Sequence, residues 1–189
     1  MYKIHRFAEM LMNYKQCIEK YGSQYQLDKV LSAKQVFQLE KGVYSDKKYE
    51  NELGILRFKY PNAVITMDSA FYFHDLTDTI PEKTVMATNR GSAKISDSRV
   101  IQRFENSDTL MLGAIEADYH DSKILIYSKE RMLVELLRNK NVMPFDLYKE
   151  VLGNYRKQIY DLNFRDIEDY AERIPKSQMI LKALQLEVM

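Results

Sequence analysis

Lys123-Ile124-Leu125-Ile126-Tyr127-Ser128-Lys129-Glu130-Arg131-Met132-Leu133-Val134-Glu135-Leu136-Leu137-Arg138 is the stretch on which the fold turns. Residues 123–127 are a short apolar run and predict a strand. Ser128 is suited to cap a helix. Behind it Met132, Leu133, Leu136 and Leu137 recur at helical spacing. Glu130 falls in the first turn, where negative charge complements the helix dipole. Arg131 is placed to pair with an acid beneath the sheet, so residues 128–131 read as a strand-to-helix anchor. Anion binding at this helix start is the alternative.

Working upstream, residues 110–117 and 123–127 predict a hairpin around Tyr119-His120-Asp121-Ser122. Residues 99–104 and 83–88 read as strands, separated by a polar loop over 89–98. Asp68 or Ser69 is expected to cap a helix carrying Ala70, Phe71, Phe73 and Leu76, after a short strand at 63–66. Residues 49–59 read as a helix closed by Pro61. Further back, Phe7, Met10, Leu11, Tyr14 and Ile18 predict one helix over 4–20, stopped by Gly22. Ser23 would cap a second over 24–33. Residues 36–39 and 43–45 then form a hairpin turning at Gly42.

Downstream the chain is all helix. Pro144 opens one helix with Tyr148, Val151, Leu152, Tyr155 and Ile159. Asn163 caps another with Phe164, Ile167, Tyr170, Ala171 and Ile174, ended by Pro175. A last amphipathic helix covers 176–189. The fold class expected is mixed α/β (α+β). A small degenerate winged-helix-like module (1–48) precedes an α/β domain (49–189) with a mixed sheet, packed helices and an all-helical C-terminal part.

The composition is that of a globular chain, with 46% hydrophobic and 29% charged residues among 189. The formal net charge is only +1, but residues 1–60 hold 11 Lys/Arg against 7 Asp/Glu while the remainder holds 17 against 20. A basic end of this kind fits a small nucleic-acid-binding module, or is a fluctuation in a charge-rich chain. Cys17 is the single cysteine, which excludes an internal disulfide and fits a cytoplasmic setting. No signal-peptide-like stretch and no membrane span is expected.

Chemistry-bearing motifs are scarce. His5, His74 and His120 lie far apart, with no His or Cys at ligand spacing, so no metal is expected. The glycines are too dispersed to cradle a phosphate. Ser69 and His74 are five positions apart on one helix and point in different directions. An enzyme site would have to assemble from distant residues, His74, Glu130 and Arg131 being the candidates. No catalytic residue and no cofactor is expected. Lys29, Lys34, Lys41, Lys47 and Lys48 fall on the second helix and the hairpin, where they suit DNA phosphates or form a solvated surface.

The chain resembles the AbiEi family of antitoxins from abortive-infection, type IV toxin–antitoxin systems. The resemblance rests on Lys41-Gly42-Val43-Tyr44, on Ser69-Ala70-Phe71-Tyr72-Phe73-His74-Asp75-Leu76-Thr77, on Lys129-Glu130-Arg131 leading into residues 132–138, and on Asp169-Tyr170-Ala171, in this order. It implies a winged-helix DNA-binding module followed by an antitoxin domain. It implies repression of the protein's own operon, and neutralisation of a nucleotidyltransferase-like toxin without a stable complex. The partners implied are that toxin and operator DNA, and no membrane. The DNA contacts carried over are Lys29, Lys34, Lys41 and Lys47; Ser69, His74, Glu130 and Arg131 are carried over to antitoxin function. One departure is that residues 22–42 leave room for one short helix and one strand, where the family's module fits two helices. A DNA-binding regulator without antitoxin activity is the alternative.

Overall fold

The structure, a computed structural model, describes residues 11–188. They divide into two compact units, one formed by residues 11–61 with Asp118–Lys123, the other by Asn62–Ala117 and residues 124–188.

In the first unit Met12 is extended and exchanges two backbone hydrogen bonds of 2.8 Å with Tyr44. The helix expected over 4–20 is therefore interrupted, and its expected positions before residue 11 lie outside the described residues. Helix α1 (Tyr14–Tyr21) begins afresh behind a capping box: the Asn13 side chain accepts from the Gln16 amide and Gln16 accepts from the Asn13 amide. Apolar periodicity ran through this break because Leu11 and Met12 are apolar in either conformation. Gly22 (φ +89°) ends α1 in the left-handed region, with its N–H on the Ile18 carbonyl. Ser23 caps α2 (Gln24–Ser32). Strands β1 (Phe37–Glu40) and β2 (Val43–Ser45) form an antiparallel hairpin.

Met12, Cys17, Leu27, Val36 and Tyr44 form the core of this module, with Ile18, Tyr21, Val30 and Leu31 packed on it. Cys17 is wholly buried, and burial pushes its thiol up from its ordinary value, which suits a packing role. Helix α3 (Glu52–Lys59), capped by Asn51, groups with this unit.

The second unit is built on a mixed sheet. Its strands are β3 (Val64–Ile65), β4 (Thr84–Asn89), β5 (Val100–Glu105), β6 (Ala114–Tyr119) and β7 (Ser122–Tyr127), in the order β5-β4-β3-β7-β6. β3 runs antiparallel to β4 and parallel to β7, and β4 runs parallel to β5. The parallel pair β4–β5 is connected by the polar segment 90–99 instead of a helix, and Gln102 anchors that segment by donating to the Ala93 carbonyl and accepting from the Ile95 amide.

Helix α4 (Met67–Phe73) follows β3 directly, with Thr66 at its cap position and no side-chain capping bond. Neither Asp68 nor Ser69 is the cap. Ser69 lies inside the helix, wholly buried, where its hydroxyl accepts from the Val85 amide at 2.9 Å and donates to the Lys83 carbonyl at 3.3 Å. Tertiary bonding to β4 has taken the hydroxyl that local sequence assigns to a cap. Leu110, expected in a strand, instead ends a short helix, α5 (Ser107–Leu110).

Ser128 does cap α6 (Lys129–Asn139), accepting from the Arg131 amide at 3.3 Å. Residues 131–137 are all buried, so α6 is the central helix of this unit. Helices α7 (Phe145–Lys157) and α8 (Phe164–Arg173) follow, with Pro144 and Asn163 at their cap positions; Ile159, expected in α7, falls in a separate 3-10 turn at Ile159–Asp161, and Ile174, expected in α8, is its C-cap. The last expected helix is shorter: α9 (Ser177–Ala183) starts after Lys176, which has φ +75°, and gives way to a π-helical turn at Leu184–Val188. No helix among the described residues is long and apolar enough to cross a membrane.

Candidate functional site

The lysines carried over to DNA binding occupy the surface of the first unit unequally. Lys29 on α2, Lys34 just past its end and Lys41 in the hairpin turn are exposed. Lys34 takes φ +55°. Lys47 is only half-exposed, with its Nζ 4.0 Å from Asp121. Lys48 lies over the Tyr49 ring. Leu27 is the fully buried residue of α2, and Gln24, Tyr25, Gln26, Asp28 and Lys29 around it are exposed, Tyr25 to 74%. Gln24 donates to Asp28 at 2.7 Å. Of these exposed residues, Lys29 is among those carried over to DNA binding; Gln24, Tyr25, Gln26 and Asp28 are not.

In the second unit, the residues carried over to antitoxin function are not gathered around one cavity. His74, just past α4, makes a 2.6 Å hydrogen bond to the Tyr127 carbonyl. A carbonyl can only accept, so Nε2 carries the proton. Burial lowers the His74 pKa from its ordinary value; the Tyr127 bond opposes this without overcoming it. Glu130 accepts from the Asn163 amide at 3.3 Å, tying the start of α6 to the start of α8. Ser69 is spent on β4.

Arg131 is 0% exposed. Its Nη1 donates to the Thr109 and Leu112 carbonyls, both at 2.9 Å, and its Nε and Nη2 reach one oxygen of Glu135 at 3.2 and 2.8 Å. The guanidinium also lies 4.4 Å from the centre of the Tyr127 ring. The acid expected beneath the sheet is Glu105 on β5, 3.9 Å away, although Glu135 of the same helix is the closer partner.

Glu135, Glu105 and Arg138 complete a four-charge network that the sequence reading missed. Arg138 Nη1 bridges Glu105 at 3.0 Å and Glu135 at 3.1 Å. Asn139 donates to the second oxygen of Glu135. The second oxygen of Glu105 accepts from the Thr109 hydroxyl and the Asn106 amide. Burial alone would raise the Glu105 carboxyl, but Arg138 and these hydrogen bonds bring it below its ordinary value. The spacing 131, 135, 138 marks one helix face and was readable. Glu105 had no local signal, since the chain folds through two further strands before α6. Among the described residues no group of three or more His, Cys, Asp or Glu is placed to hold a metal ion.

No protein-family model matches the chain, and no curated protein matches it.

Proposed function

We propose that this chain is a DNA-binding regulator of the AbiEi-like antitoxin kind, with DNA contacted by the first unit and antitoxin action residing in the second. The observation that carries the DNA reading is the pairing of Met12 with Tyr44. It closes the β1–β2 hairpin over the α1–α2 pair, the order and closure of a winged helix. It also leaves the polar face of α2 and the hairpin turn free. A helix of this kind enters the major groove by its N-terminal residues. Gln26 suits bidentate reading of adenine, and Lys29, Lys34 and Lys41 suit phosphates.

The antitoxin reading comes from the resemblance. It is compatible with the roles of Ser69, His74, Glu130 and Arg131, each of which makes at least one hydrogen bond tying a helix to a strand, a loop or another helix.

Two measurements test the parts separately. Affinity for the DNA upstream of the protein's own gene is followed against salt. Lys29→Ala and Lys41→Ala each reduce the slope of log K against log [salt] by about 0.9 if each neutralises one phosphate. Lys47→Ala has a smaller effect, because Asp121 already faces it. Unchanged slopes in all three variants remove the hairpin and α2 from the interface. For the antitoxin part, the neighbouring gene is induced with and without the full chain. Rescue of growth supports the reading, whereas a toxic neighbour and no rescue by well-expressed protein refutes it and leaves DNA-binding regulation alone.

A further inference from the structure

A cavity of about 170 Å³ opens in the second unit where β5 meets α6, with Thr66, Arg103, Glu105, Tyr127, Glu135 and Arg138 in its wall. Its polar atoms are unevenly spent. Glu135 accepts three bonds on one oxygen and one on the other, and both oxygens of Glu105 are likewise engaged. A carboxylate offers about four acceptor sites, so little capacity is left on either. The donors are in surplus. Arg138 uses Nη1 alone, leaving Nε and Nη2 without a partner among the described residues. Arg103, exposed on β5, has no hydrogen bond or ion pair among them.

The charge balance has the same sign. Arg131, buried behind the wall, and Arg138 offset Glu105 and Glu135, and Arg103 is left over as a positive charge at the exposed rim of the cavity. The β4–β5 register places Arg103 on the same face as Glu105, two residues along, so its side chain rises on the side of the sheet that α6 covers.

We propose that this cavity binds a compact oxyanion, a phosphate or a carboxylate group, held by Arg103 and Arg138. Planar guanidinium groups suit both anions through paired N–H donors. The volume restricts the ligand: pockets for cofactors and drug-sized molecules run to about 300–1,000 Å³. A space of about 170 Å³ admits an anionic group with a few attached atoms and excludes a whole nucleotide. The proposal stands independently of the DNA and antitoxin readings.

The test is a backbone-amide NMR titration of the full chain at constant ionic strength, once with inorganic phosphate and once with malonate, each against chloride. Saturable shifts centred on residues 103–105 and 138–139 are expected, and whichever salt saturates at lower concentration identifies the anion. Arg103→Gln, at an exposed position, weakens binding by about tenfold or more, the usual worth of a hydrogen bond to a charged group. Arg90→Gln, an exposed arginine outside this cavity, leaves affinity unchanged. Absence of saturable shifts with both salts, shifts confined to the lysines of the first unit, or equal affinity in Arg103→Gln overturns the proposal.

Discussion

At the residue scale, the second unit depends on how completely one buried cation is satisfied. Arg131 has no access to water, so its charge is offset by Glu135, by Glu105, by two carbonyls and by the Tyr127 ring. Removing one partner of a buried pair leaves the other charge stranded. Glu135→Gln is therefore expected to lower stability by about 3–5 kcal/mol, read from urea unfolding. A loss below about 1 kcal/mol, the size of an exposed pair, would mean that solvent reaches Arg131 after all. Gly113 is a second sensitive position. It has φ +73°, and a Cβ placed there would lie 2.6 Å from the Arg131 Cβ. Gly113→Ala adds left-handed backbone strain of about 1–2 kcal/mol. The crowding adds about 1–3 kcal/mol more. A variant as stable as the parent would show that the turn before β6 relaxes freely.

At the scale of elements, the first unit shows how short helices are held. α1 has eight residues, below the length at which an isolated helix persists in water, so its ends and its buried face must hold it. The capping box at Asn13 satisfies two otherwise orphaned amides. Asn13→Ala is expected to cost about 1 kcal/mol in thermal or urea unfolding, with Asn13→Ser close to neutral. If both variants lose the same amount, the cap is not what fixes the start of α1. Cap chemistry also explains which elements were readable. Ser23, Ser128 and Asn163 cap where a sequence-local rule puts them. Ser69 does not, because β4, fourteen or more residues later in the chain, offers its hydroxyl a buried amide and a carbonyl.

At the scale of the whole molecule, acid sensitivity follows from three groups. Glu105 and Glu187 both have lowered pKa values. For Glu187 burial acts in the opposite direction and is outweighed by Lys140 and Tyr148, whose bonds hold the C-terminal turn to α6 and α7. The stabilisation from these carboxylates is complete above their ordinary value of 4.5 and is lost as pH falls from there through the lowered values. His74, whose pKa is lowered by burial, favours its neutral form when folded. Its contribution is complete above its ordinary value of 6.5 and declines as pH falls toward the lowered one. Both slopes have the same sign, so stability drops on acidification in two separate windows. In urea midpoints measured against pH, His74→Gln flattens the upper window and Glu187→Gln the lower. A parent profile that is flat between the two reference values would contradict the half-buried placement of His74.

The division between what was readable and what was not follows the range of the interactions. The mixed α/β class, the hairpins and most helices of the C-terminal part are carried by periodicity and by caps acting over three or four residues, so they are legible in the chain itself. So is an anchoring role for Arg131, because Ser128 caps the helix and sets Arg131 just inside it, directly behind an apolar strand. The interruption at Met12, the placement of Ser69, and the choice of Glu105 as an acid beneath the sheet are not legible. Each is decided by a partner far along the chain: Tyr44 for Met12, Val85 for Ser69, Arg131 and Arg138 for Glu105. A buried polar group takes whichever partner the packed structure brings within hydrogen-bond distance, since leaving it unpaired costs about 1–3 kcal/mol, and only the tertiary structure says which partner that is.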